Sequence, residues 1–85
     1  MNEIEFAKNH AETLVDSIHA AIKEDMEHIF SDIKFVSEMH TDNITYQASE
    51  LVSVLNSSVI KDLQVKLGAL QTAREMMQII DYISK

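Results

Sequence analysis

Between Glu3 and His40 the chain repeats one pattern without interruption. Apolar residues fall at Ile4, Ala7, Ala11, Leu14, Ile18, Ile22, Met26, Ile29, Ile33 and Val36, in steps of three and four only. Neither glycine nor proline occurs in the stretch. This spacing predicts one long amphipathic helix over residues 3–40, about 55 Å from end to end. From Ile4 to Ile18 the steps follow a heptad. Ile18, Ile22 and Met26 then follow at two successive fours, an added step that locally unwinds a left-handed supercoil. A bundle of nearly straight helices is expected rather than a uniform coiled coil.

Two acids interrupt the apolar stripe. Asp25 and Asp32 both fall within it by angle, with His28 at the edge between them. A buried carboxylate is costly unless it is paired or hydrogen-bonded. Either the stripe is wide and both residues sit at its margin, or they face a cation or amide of a partner that fixes helix register.

Thr41, Asp42 and Asn43 form the first turn signal. Each accepts hydrogen bonds from free amides, and Asn43 also tolerates left-handed backbone geometry that would end a helix without glycine. So short a connection, about residues 41–43, folds the following helix back antiparallel. The apolar pattern resumes from Ile44 as Ala48, Leu51, Leu55, Val59, Leu63, Leu67, Leu70, Ala73, Met77 and Ile80, spanning about 44–84. Asn56, Ser57 and Ser58 either divide this span into two helices, with Ser57 or Ser58 capping one that begins at Val59 and carries Asp62 in its first turn, or leave it continuous. Gly68, the only glycine, sits inside the pattern and is expected to mark close packing. Met76, Ile79, Tyr82 and Ile83 widen the C-terminal stripe, and a helix so broadly apolar ordinarily touches two neighbours.

Composition narrows the function classes. The 85 residues allow one domain, 1–85, and 46% of them are hydrophobic. A short chain drawn out into long helices buries little surface alone, so an oligomer or a helical protein partner is expected. The net charge of -7 is concentrated in residues 1–40, which hold nine acids against three lysines. That surface repels phosphate backbones, so direct nucleic-acid binding is not expected. No apolar run reaches the roughly 18 residues of a membrane span. Glu3 and Glu5 stand where a signal peptide would be basic, and cysteine is absent. A cytoplasmic location is the resulting expectation.

Candidate chemistry is sparse. His10, His19, His28 and His40 all precede the turn. Asp25-Met26-Glu27-His28 has the carboxylate-x-x-histidine spacing found in two-metal helical bundles, but no second such motif follows in residues 44–85. Glu38, His40 and Asp42 make a looser cluster. Protonated histidines would bring the formal charge from -7 towards -3, making association pH-sensitive. With one glycine there is no phosphate-cradling loop, and no local motif arranges a nucleophile. The expectation is therefore a non-enzyme with no catalytic residue, metal or cofactor.

In the C-terminal third, Gln64-Val65, Ala69-Leu70, Ala73 and Ile79-Ile80-Asp81-Tyr82-Ile83 resemble the small helical-hairpin co-chaperones of type III secretion needle subunits. The resemblance implies a short antiparallel hairpin that binds a helical-repeat chaperone and keeps the needle subunit unpolymerised. The first helix here is longer than theirs. Taken together, the residues predict an all-α antiparallel hairpin or three-helix bundle with one long N-terminal helix, expected to form a homodimer. Its expected role is protein–protein contact as a chaperone-like adaptor, with Leu63, Leu67, Leu70, Met77 and Ile80 as the contact stripe. Two alternatives follow from the same residues: an acidic inhibitor protein, of the kind phages encode, presenting the first helix to a basic site, and a metal-binding bundle.

Overall fold

The computed structural model describes residues 2–84; Met1 and Lys85, the ends of the expected domain, lie outside the described residues. The chain is all-α, an antiparallel hairpin 64 × 17 × 15 Å in extent. Helix α1 (Glu3–Ser37) forms one arm, and α2 (Ile44–Leu55) with α3 (Ser58–Ile83) forms the other. The long α1 starts where Asn2 Oδ1 accepts the Glu5 amide at 2.7 Å, with Glu3 and Glu5 favourably placed at the positive end of the helix dipole.

Helix α1 ends at Ser37, three residues before the expected boundary. Ser37 Oγ donates to the Lys34 carbonyl at 2.8 Å, and Glu38 closes the helix at φ -96°, ψ 8°. No non-glycine residue among those described has positive φ, so Asn43 does not supply a left-handed stop. It instead caps α2, accepting the Tyr46 amide at 3.0 Å. The connection is thus 38–43 rather than 41–43. Gln47 bridges its two sides, its Nε2 donating to the Val36 carbonyl at 2.8 Å. The same carbonyl, in the last turn of α1, also accepts the Met39 amide at 3.3 Å.

The second arm is broken. Asn56 donates its side-chain amide to the Val52 carbonyl at 3.1 Å, and Ser57 is extended at φ -70°, ψ 162°. Short polar side chains that compete for backbone groups in this way end helices. Ser57 is the N-cap residue of α3 but makes no side-chain cap bond, and Asp62 lies beyond the first turn.

The seam between the arms is displaced from the sequence pattern at its middle. On α1 the buried or half-buried residues are Ala7, Ala11, Val15, Ile18, Ala21, Ile22, Asp25, Ile29, Ile33 and Val36. Met26 stays exposed and heptad spacing continues from Ala11 through Asp25 to Ile29, the two successive fours falling instead at Asp25, Ile29 and Ile33. On α3 the corresponding set is Val59, Leu63, Lys66, Leu70, Ala73, Met77 and Ile80 at heptad spacing, with Ile60 half-buried beside it and Lys66 where Leu67 was expected. One ion pair therefore occupies a seam position on each helix.

Helix α2 departs further. Its half-buried residues are Gln47, Glu50 and Val54, each one position before Ala48, Leu51 and Leu55, the expected inward stripe. One residue corresponds to about 100° of helix rotation. The break at Ser57 frees α2 to roll relative to α3, and the Gln47 bond to Val36 holds it there. Ala48, Leu51 and Leu55 are consequently exposed instead of buried against α1.

A Cβ built at Gly68 meets nothing within 4 Å, which corrects the expectation of close packing there. Gly68→Ala should therefore stabilise the chain by about 0.5–1 kcal/mol through helix propensity alone. Leu70→Ala, which empties a buried seam position, should destabilise it by about 2 kcal/mol or more. Urea unfolding followed by circular dichroism checks both signs.

Candidate functional site

Asp25 is the one buried charged residue among those described, its side chain 13% exposed. Lys66 Nζ donates to Asp25 Oδ2 at 2.8 Å and to Asp62 Oδ2, one turn away on α3, also at 2.8 Å. These two carboxylates hold the Lys66 ammonium above its ordinary pKa of 10.5, the Asp25 hydrogen bond being the larger cause and the Asp62 bond the next. Of the two aspartates in the sequence stripe, Asp25 thus faces a cation, supplied from within the chain. Asp32 is exposed.

Two weaker links keep the same antiparallel register. Lys8 lies 3.9 Å from Asp81, an exposed pair of little energetic consequence. His19 Nε2 lies 2.9 Å from Arg74 Nη2. Arginine has no acceptor, so this contact requires an unprotonated Nε2 on His19. His10 stacks on Phe6 with ring centroids 6.5 Å apart, while His28 and His40 are exposed.

The carboxylate-x-x-histidine spacing gathers no ligand set. Asp25 is engaged with Lys66, and among the described residues no three histidine, aspartate or glutamate side chains come together. Glu38, His40 and Asp42 form no such group either. No helix among the described residues is long and apolar enough to cross a membrane.

Many large apolar side chains remain exposed. The chain exposes 6620 Å². A folded protein of 9.7 kDa exposes roughly 5100 Å², so about 1500 Å² lies uncovered beyond the expectation for its mass. Of the expected contact stripe, Leu70 is buried and Leu63, Met77 and Ile80 are half-buried in the seam against α1; only Leu67 is exposed. The uncovered residues lie elsewhere. Helix α2 has no buried residue and exposes Ile44 (78%), Val52 (54%), Leu51 and Leu55. Beside it, Ile33 and Val36 of α1 join Ile44, Gln47, Ala48 and Leu51 in an apolar groove of about 260 Å³. On α3, Val65, Met76, Ile79 and Ile83 are exposed. The sequence signal for this last set was its own three-four spacing, displaced by one residue from the seam.

Comparison with family models, characterised proteins and solved structures finds no match to this chain. The resemblance to needle-subunit co-chaperones accordingly rests on the C-terminal stretch alone.

The ion pair generates a ranking. Lys66→Met leaves the Asp25 carboxylate in the seam without its cation and should lower the melting temperature more than Asp25→Leu with Lys66→Met together, which restores an apolar seam. The pH dependence follows from the raised Lys66 pKa: its stabilisation is complete below 10.5 and is lost as pH rises through the folded-state value. Melting curves across that alkaline range should show a decline that is absent from the double variant.

Proposed function

We propose that this chain is a non-enzymatic binding protein, an adaptor of the chaperone-like kind, that seats an amphipathic helix of a partner protein against α2 and the adjoining end of α1. The observation that carries this reading is that α2 buries none of its side chains while presenting Ile44, Leu51, Val52 and Leu55 to solvent. Contiguous apolar surface of this sort is typical of protein-binding sites. A helix laid along the groove beside α2 would engage residues one and two turns apart, as Ile44, Ala48, Leu51 and Leu55 are spaced.

The inhibitor reading has support of its own. The eight acids of residues 1–40 other than Asp25 are all exposed, so the outer side of α1 could meet a basic target. The two readings differ in which surface carries binding.

A photo-crosslinking amino acid placed at Val52, and separately at Asp16, tests them in the cells that make the protein. The adaptor reading expects one defined protein adduct from Val52, reduced at least tenfold by Leu51→Glu, and little from Asp16. Adducts from Asp16 alone would transfer the function to the acidic surface of α1. No adduct from Val52 would defeat the adaptor reading.

A further inference from the structure

Helix α3 carries two apolar seams. The first, described above, meets α1. The second consists of Val65, Ala69, Thr72, Met76, Ile79 and Ile83, in steps of four, three, four, three and four. Each of its residues precedes a position equivalent to the inner seam by one, which rotates it about 100° around the helix. All six are exposed, Val65 at 70%, Ile79 at 58% and Ile83 at 60%. No charged residue interrupts it. The one hydroxyl is already satisfied, since Thr72 Oγ1 donates to the Gly68 carbonyl at 3.1 Å.

We infer that this outer seam is a homodimer interface, in which α3 packs antiparallel on α3 of a second copy. Three observations select a second copy. Heptad spacing of apolar residues is itself the pattern that lets one helix pack against another of the same kind. The charge distribution permits it, because residues 41–85 hold five acids and four bases, whereas the repulsive excess lies in residues 1–40. The area suffices as well. The chain as a whole has roughly 1500 Å² of surplus surface, against the about 800 Å² per partner of a standard interface.

The antiparallel direction follows from side-chain size. Small residues lie toward the start of the seam and large ones toward its end. Antiparallel packing in the register that uses all six positions sets Val65 opposite Ile83 of the second copy, Ala69 opposite Ile79, and Thr72 opposite Met76. Large side chains then meet smaller ones along the whole length, keeping the helix separation even. A parallel pair would crowd Met76, Ile79 and Ile83 against themselves while leaving Ala69 facing Ala69. This interface is separate from the surface proposed for partner binding, so either can fail alone.

Light scattering after size-exclusion chromatography should give twice the 9.7 kDa chain mass at tens of micromolar. Ile79→Glu should weaken dimerisation at least a hundredfold with helix content retained, while Val52→Glu should leave it unchanged. The chain has no cysteine, so direction can be read by oxidation. An equimolar mixture of Val65→Cys and Ile83→Cys chains should give the mixed disulfide, and each variant alone should stay largely monomeric in denaturing gels. A monomeric wild-type chain would overturn the inference. So would a dimer broken by Val52→Glu but not by Ile79→Glu, or efficient disulfides within each single variant.

Discussion

A helix that meets one neighbour can bury one stripe, and this constraint governs the whole molecule. The hairpin places α1 against α2 and α3 in a body only 17 × 15 Å across its long axis. Among the described residues, only Ala11, Ile22, Ile29, Val36, Leu70 and Ala73 form the buried apolar core. The sequence supplies far more hydrophobic residues than that arrangement can cover. Protein of this size is marginal when it buries so little, and covering further apolar surface by association contributes in the same way as core formation.

Within the seam, Asp25 and Lys66 do what apolar residues cannot. Hydrophobic side chains at heptad spacing tolerate sliding by a turn or a heptad, because similar groups meet after the slip. A carboxylate and an ammonium at matching seam positions allow one alignment, since any other leaves two charges in an apolar interface. Asp62 adds a second acceptor for the same ammonium, and the links from Lys8 to Asp81 and from His19 to Arg74 run in the same register. The pair thus gives the long hairpin a fixed alignment at a position where aliphatic packing alone would not.

The break at Asn56 and Ser57 distributes the apolar surface. Were the second arm continuous, Ala48, Leu51 and Leu55 would follow Val59 and Leu63 into the seam. The roll of α2 instead turns them to solvent and brings Gln47, Glu50 and Val54 against α1. Two apolar surfaces are thus uncovered, this one on α2 and another on α3, and the proposed partner binding and the proposed self-association fall on different residues.

The sequence by itself determined the helices, the antiparallel hairpin and the surplus of apolar residues, because these depend on local spacing and on the absence of glycine and proline from α1. It also marked Asp25 as a residue needing a partner. It did not reveal which of two adjacent residues enters the seam: Met26 and Leu67 looked the better choices, being apolar, yet Asp25 and Lys66 take those places. A one-dimensional pattern values each residue by its own hydrophobicity, whereas two opposite charges become acceptable in the interface only when both arrive together. The facing of α2 was hidden for a similar reason. It is set by a helix break and by the Gln47 bond to the Val36 carbonyl across the turn, neither of which periodicity records. Hence the contact stripe read from spacing became mostly the internal seam, and tertiary structure decided which apolar residues remain free to bind.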